Sequence, residues 1–127
     1  ALPETPGAGA AGGTGFGMLA WGATMSSGAR AIAETIGLPA SIVGADLVIT
    51  GEGRFDGQSA GGKAPVEVAR LARSSGVRCA LVAGLVDAPP VGFDGVVSLS
   101  ELAGSVAASL ADPLHWAREA GRRLALE

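Results

Sequence analysis

The chain has 127 residues, of which 48% are hydrophobic and 17% charged, so it can build the core of one globular domain. A formal net charge of −3 argues against a nucleic-acid partner, and the absence of a long apolar stretch argues against a membrane partner. Cys79 is the single cysteine and cannot form an intramolecular disulfide, which agrees with a cytoplasmic location.

The first third of the chain is rich in glycine and alanine, and residues 1–13 lack the periodicity of a helix or strand. Serine caps and glycine stops predict three short helical segments, at 14–21, 26–36 and 39–43. In the second segment, Ile32 and Ile36 lie four residues apart and form the predicted apolar face, and Gly37 ends the helix.

The rest of the chain alternates short apolar runs with helical patterns. The apolar runs predict strands at 46–50, 78–83 and 96–97, and helices are predicted at 65–75, 98–110 and 113–126. Asp112 and Pro113 form a cap and first helical residue for the last helix. This rhythm is typical of an α/β fold, with a parallel sheet and crossover helices in three layers.

The segment 46–65 runs from a predicted buried strand through a glycine-rich loop into a helix. Ligands of open α/β sheets bind beyond the carboxyl ends of the strands, and a helix N-terminus behind glycines favours an anion. We therefore predict a functional site in this loop, against the alternative of a solvated structural loop. Its charged and amide side chains are Glu52, Arg54, Asp56, Gln58 and Lys63.

Two carboxylates in this segment suit acid–base or metal chemistry. Asp56 and Glu52 can each serve as a Mg²⁺ ligand or a general base, or form an ion pair with Arg54 or Lys63. Asp87, after the second predicted strand, also lies at a carboxyl end and is a further candidate.

Two nucleotide-binding patterns occur without their usual context. Residues 7–12 match G-x-G-x-x-G, but no strand is predicted before them, so a flexible loop or an anion-binding loop is favoured over a dinucleotide site. Residues 57–63 match G-x-x-x-x-G-K, but Ala64 stands where a P-loop needs a hydroxyl. His115, beside Trp116, is interpreted as a surface or packing residue.

Taken together, several motifs resemble one family. They are the glycine loop at 7–17, the string T-G-E-G-R-F-D-G-Q-S at 50–59, G-K-A-P at 62–65 and the C-terminal segment 97–113. These motifs are similar to the C-terminal part of the two-domain bacterial glycerate kinases, actinobacterial members in particular, which transfer phosphate from ATP to D-glycerate. Ala60 departs from the pattern, since an aliphatic residue such as leucine is common there.

The resemblance implies a longer parent chain, in which a Rossmann-like domain is assembled from both ends and a second α/β domain is inserted between them. Residues 1–44 would then complete the inserted domain, and residues 45–127 would form the C-terminal part of the Rossmann-like domain. A composition change near Gly44 agrees with this boundary. We expect the N-terminal part of the parent chain as a partner, and we expect the isolated segment to be inactive.

The resemblance also implies ATP, D-glycerate and Mg²⁺ as ligands, with a non-catalytic anion- or nucleotide-binding module as the alternative. Lys63 would offset charge on the transferring phosphoryl group, and Asp56 would hold Mg²⁺ or orient the glycerate hydroxyl. The implied catalytic residues are Glu52, Arg54, Asp56 and Lys63. The implied residues for binding phosphate or the glycerate carboxylate are Gly9, Gly12, Gly13, Gly51, Gly53 and Gln58.

Overall fold

The computed structural model describes residues 4–59 and 63–126. Helices occupy most of the chain outside one small sheet. In chain order the elements are α1 (Ala10–Ala20), α2 (Gly28–Thr35), α3 (Leu38–Ile42), β1 (Leu47–Phe55), α4 (Ala64–Ser74), β2 (Arg78–Val86), β3 (Gly95–Ser98), α5 (Leu99–Leu102), α6 (Val106–Ala111) and α7 (Pro113–Leu124).

The described strands form one parallel sheet in the order β1–β2–β3. The β1–β2 pairing begins where Leu47 faces Arg78 and ends where Phe55 faces Val86. Because the strands are parallel, the segments that follow β1 and β2 leave the sheet at the same edge. The predicted α/β class and parallel sheet are confirmed.

Helices cover both faces of this sheet. On one face, Val48 and Cys79 pack against Ala69 and Ala72 of α4, together with residues of α2 and α3. Burial raises the pKa of the Cys79 thiol, and the nearby Asp94 carboxylate raises it further, so this cysteine is not a reactive thiolate.

The second face of the sheet is covered by the C-terminal helices. Ala80 and Val97 pack there against Ala120 and Leu124 of α7, with residues of α5 at the edge of the cluster. Neighbouring residues of β2 therefore point into opposite layers, as the pleat of a strand requires. The apolar runs of the strands reflect this burial on both sides.

Both long strands extend beyond their predicted ends. The prediction that the first strand ends at Thr50 is wrong, because Glu52 and Arg54 pair in register with Ala83 and Leu85 of β2. Glu52 and Arg54, with Gly51 and Gly53, therefore lie on a strand and not in a loop.

Helix α1 begins four residues earlier than predicted and is interrupted near its start. Ala11, Gly12 and Gly13 have φ values of 50°, 66° and 95°, a left-handed stretch that glycine adopts without steric cost. No residue of α1 is buried, and Phe16 is 42% exposed. Within the described ranges, no helix combines the length and apolar character of a membrane span.

Helix α2 lies close to its predicted position but buries a different residue. Ile32 and Ile36 are exposed, whereas Ala33 is buried against α4. Gly37 has a positive φ and separates α2 from α3, as predicted. The small Ala33 packs inward, while the larger isoleucines remain on the outer surface.

The helix predicted at 98–110 is two short helices. Gly104 has a φ of 81° and interrupts the chain after α5. The Ser105 side chain then accepts a hydrogen bond from the Ala108 N–H and begins α6. The predicted start of α7 is confirmed, because the Asp112 side chain accepts from the His115 N–H and Pro113 follows it.

The pairing of β1 with β2 leaves no room for a side chain at Gly51. A Cβ atom there would lie 2.3 Å from the Val82 carbonyl oxygen, whereas a Cβ atom at Gly53 would meet nothing within 4 Å. We expect Gly51→Ala to lower the free energy of unfolding by about 1–3 kcal/mol, a typical cost of overpacking. Urea unfolding of both variants tests this expectation. Gly53→Ala should change the value by about 0.5 kcal/mol or less, and equal losses in the two variants would contradict it.

Candidate active site

A cavity of about 470 Å³, open to solvent, lies beside the C-terminal half of β1. Its volume is in the range of small-molecule sites. Three elements contribute: the strand, the N-terminal end of α2 and the N-terminal end of α4. The lining residues are Gly51 and Glu52 of β1; Ser27, Gly28, Ala29 and Ile32 at α2; and Lys63, Ala64 and Pro65 at α4.

Both helices present uncapped N-terminal ends to this cavity. Ser27 precedes α2 and Lys63 precedes α4, and neither side chain forms a capping hydrogen bond with its helix. The N–H groups in the first turn of α2 have no partner within the helix and carry partial positive charge. At α4, Pro65 has no N–H and the Val66 N–H donates to the Lys63 carbonyl oxygen at 3.1 Å, so this end contributes mainly the Ala64 N–H and the helix dipole. With the ammonium group of Lys63, these helix ends make this wall of the cavity favourable for an anion.

Asp56 follows β1 directly and closes a tight turn. Its Oδ1 accepts the N–H of Gln58 at 2.9 Å and the N–H of Ser59 at 3.1 Å. The Ser59 N–H is the largest cause that holds the pKa of Asp56 below its ordinary value, with smaller contributions from Gln58 and Lys63. Asp56 is therefore ionised at neutral pH.

Ser59 connects this turn to the lysine. Its side chain is fully buried, and its hydroxyl lies 3.3 Å from Asp56 Oδ1. Lys63 Nζ donates to the Ser59 hydroxyl at 3.4 Å and lies 3.8 Å from Asp56 Oδ1. These long contacts hold the ammonium group near the turn without saturating it, since the Lys63 side chain is 46% exposed.

Arg54 has a different partner. Its guanidinium forms an ion pair with Asp87, which follows β2 at the same edge of the sheet. The Asp87 N–H also donates to the Phe55 carbonyl oxygen at 2.8 Å, so the chain leaving β2 is bound to the end of β1. Both side chains of the pair are exposed, and its contribution to stability is small.

The structure brings together only part of the predicted site. Gly51, Glu52 and Lys63 line the cavity, and Asp56 is joined to it through Lys63. Gln58 lies exposed in the turn and Gly53 lies exposed on β1. The predicted glycines of the first segment lie at the start of α1 and are not among the lining residues of this cavity: Gly9, Gly12 and Gly13.

Two serines of the site were not predicted from the sequence. Ser27 lines the cavity at the start of α2, and Ser59 is the buried centre of the turn. The spacing Asp56-x-x-Ser59, typical of a turn closed by an aspartate, was the available signal. His115 lies exposed on α7 against Trp116, as predicted, and does not line this cavity.

Asp56 is the residue of this site that best suits a magnesium ion. Residues 4–59 and 63–126 contain no group of three or more His, Cys, Asp or Glu side chains placed to hold a metal. Within residues 4–59 and 63–126, the hydrogen bonds and the ion pair of the Asp56 carboxylate all involve Oδ1, so Oδ2 can bind a cation without losing any of them. Magnesium is commonly held by one or two protein carboxylates together with substrate phosphates and water, so a single aspartate fits.

The pKa of Asp56 gives a testable pH dependence. A folded-state pKa below the ordinary value of 3.8 means that the ionised form stabilises the fold above that value, and this stabilisation is lost as the pH falls through the folded pKa. We expect the ¹³C shift of the Asp56 carboxyl group to titrate below 3.8. Lys63→Met should raise this pKa only slightly, because the Ser59 N–H is the larger cause. A titration at or above the ordinary value would contradict the turn geometry.

A sequence model of the Glycerate kinase family matches residues 1–126. The chain is 43% identical over 112 residues to an uncharacterised protein of Mycobacterium tuberculosis (strain CDC 1551 / Oshkosh), covering 84% of this chain and 29% of that protein. It is 38% identical over 96 residues to a glycerate kinase of Bacillus subtilis (strain 168), covering 75% of this chain and 22% of that enzyme.

A solved structure of a protein from this family is also similar to the chain. The crystal structure of a candidate glycerate kinase 2 from Salmonella typhimurium LT2 aligns with a TM-score of 0.57 at 39% sequence identity, covering 72% of this chain and 23% of that one. The chain therefore spans less than a third of the length of these similar proteins.

Proposed function

The chain belongs to the glycerate kinase family, and we propose that it carries one wall of an active site that transfers the γ-phosphoryl group of ATP to a hydroxyl of D-glycerate. One observation supports this proposal above the others. A single cavity is lined by Lys63, by Glu52 and by the N-terminal ends of two helices that have no side-chain cap. Both substrates are anions that carry hydroxyl groups, and this combination of charges suits them.

Lys63 is the residue that we assign to the transferring phosphoryl group. Phosphoryl transfer depends on positioning and on stabilising the charge of the transferring group, and a lysine at a helix N-terminus supplies both. The Ser59 hydroxyl and Asp56 hold the Lys63 ammonium group at 3.4 Å and 3.8 Å, which limits its motion while leaving it exposed. Its charge then lies where the helix partial charges of α4 add to it.

Asp56 would hold the magnesium ion through Oδ2. Bound magnesium neutralises the phosphate oxygens of the nucleotide. The Ser59 and Gln58 N–H groups keep the Asp56 carboxylate ionised and fix its orientation. Oδ2 is therefore already in position before a magnesium ion binds. Lys63 and Asp56 are adjacent, which places the proposed cation ligand beside the proposed phosphoryl-binding charge.

The remaining predicted residues contribute on other surfaces. We propose that the left-handed stretch at Gly12 and Gly13, with Gly9 before it, approaches a phosphate or the glycerate carboxylate through its backbone N–H groups. Arg54 is exposed at the end of β1, where its charge contributes to the field over the edge of the sheet. Gly53 lies on β1 and has no assigned contact with substrate, whereas the N–H of Gln58 closes the turn that carries Asp56.

Substitution of the two assigned residues tests this function. In the longest native polypeptide that contains this sequence, we expect Lys63→Ala and Asp56→Ala each to lower kcat by about 100-fold or more, the usual cost of losing an electrostatic stabiliser. His115→Ala is the matched control, and it should leave the rate within about a factor of two. A coupled assay for ADP release measures all three variants. Near-normal turnover of both loop variants would refute the assignment.

Expression of the 127-residue chain alone gives a second test. We expect it to show no ATP-dependent phosphorylation of D-glycerate, because one wall cannot align two substrates, and a misplacement of about 1 Å can cost about 100-fold. The same coupled assay measures this, with the longer polypeptide as the positive control. Turnover by the short chain would show that the site is complete within it. Ligand binding without turnover by the longer polypeptide would indicate a non-catalytic binding module.

A further inference from the structure

The carboxylate of Glu52 differs from its acidic neighbours in one respect. Its Oε1 is buried, and no hydrogen-bond donor reaches it from residues 4–59 and 63–126. Asp56, by contrast, accepts two backbone N–H groups, and Asp87 is paired with Arg54. A buried acceptor without a donor destabilises a fold, so a carboxylate in this state suits a ligand that supplies the donor.

Neither of the nearby basic side chains, Arg54 and Lys63, pairs with the Glu52 carboxylate. Arg54, two residues along the same strand, pairs with Asp87, and Lys63 contacts Ser59 and Asp56. The alternative in which Glu52 forms an ion pair with Arg54 or Lys63 is therefore not the arrangement of the folded chain.

The strand directs this carboxylate into the cavity. Side chains alternate along β1, and Val48 packs against α4, so Glu52 projects from the same face of the strand. Glu52 lines the cavity together with Lys63 and the N-terminal ends of α2 and α4. The unpartnered oxygen therefore belongs to a side chain that can meet a bound molecule.

The charges around the cavity select the class of ligand. Asp56, the residue that we assign to the cation, is not among the lining residues of this cavity, and a divalent cation at Glu52 would face the positive N-terminal ends of α2 and α4 without the Asp56 carboxylate. A phosphate group is mostly deprotonated at neutral pH and would meet a like charge at Glu52. A hydroxy acid suits the whole cavity. Its carboxylate can face Lys63 and the helix N-terminal ends, and its hydroxyl can donate a hydrogen bond to Glu52.

We propose that the Glu52 carboxylate turns Oε1 toward the cavity and accepts a hydrogen bond there from a hydroxyl of the bound glycerate, which makes this residue the determinant of specificity for a hydroxy acid. The inference rests on the proposed function for the identity of the acceptor substrate. The geometry requires only that the hydroxyl enters the cavity while the substrate carboxylate faces Lys63 and the helix ends. An analogue that lacks this hydroxyl would leave the Glu52 oxygen unpaired, and such sites reject that analogue strongly.

The test measures binding and turnover separately, in the longest native polypeptide that contains this sequence. Calorimetry gives Kd values for D-glycerate, D-lactate and 3-hydroxypropanoate, of which the last two each lack one hydroxyl. We expect one analogue to bind the wild-type protein at least about tenfold more weakly than D-glycerate, and this difference to disappear in Glu52→Ala. Glu52→Gln keeps an acceptor oxygen and should bind D-glycerate within about threefold of wild type, which separates a lost hydrogen bond from a misfolded site.

Glu67→Gln is the matched control, because the Glu67 side chain is also largely buried but is paired with Arg70. It should leave all three Kd values within about twofold. Equal discrimination between the analogues in wild type and Glu52→Ala would overturn the inference, even if turnover is normal. A Glu52→Ala protein that binds D-glycerate normally but needs more Mg²⁺ for activity would show a cation ligand and would also overturn it. Hydroxyl-dependent binding without turnover would support the role of Glu52 and refute the kinase proposal alone.

Discussion

The parallel pairing of β1 with β2 is the constraint on which the candidate site depends. Because the ladder continues to Phe55 and Val86, Glu52 is held on a rigid strand, and the turn at Asp56 begins at a fixed point. The same ladder brings the end of β2 beside the end of β1, which allows Arg54 to pair with Asp87. A ladder that ended at Thr50 would leave these groups on a loop, without a defined direction for any of them.

Small side chains determine how closely the helices approach this ladder. Ala33 of α2 packs beside Ala69 and Ala72 of α4, and these alanines let α2 lie close to α4. The N-terminal ends of the two helices consequently share one cavity with β1. The packing of α2 on α4 therefore forms the hydrophobic core on this face of the sheet and also places the two helix N-terminal ends at the cavity.

The sequence predicted the parallel sheet, the last helix and the identity of most polar residues, because apolar runs, caps and glycine stops are local signals. It did not predict the true end of β1, because Gly51 and Gly53 resemble loop residues until their pairing partners in β2 are known. It predicted an apolar face at Ile32 and Ile36, both of which are exposed, since periodicity identifies an apolar face but not what covers it. The pairing of Lys63 with Asp56 and the absence of a hydrogen-bond donor at Glu52 Oε1 among the described residues depend on tertiary contacts, which no local pattern contains. The division at residue 44 remains a prediction.

The close approach of the strands at Gly51 also bears on how relatives of this chain are recognised. The string T-G-E-G-R-F-D-G-Q-S combines two kinds of information, since Gly51 is required by the distance to Val82 while Glu52 faces a cavity. A distant protein that keeps the glycine but not the glutamate would share the architecture of the sheet without the means to hold a hydroxyl. Motif searches that weight these two positions separately could therefore distinguish inherited scaffold from inherited chemistry.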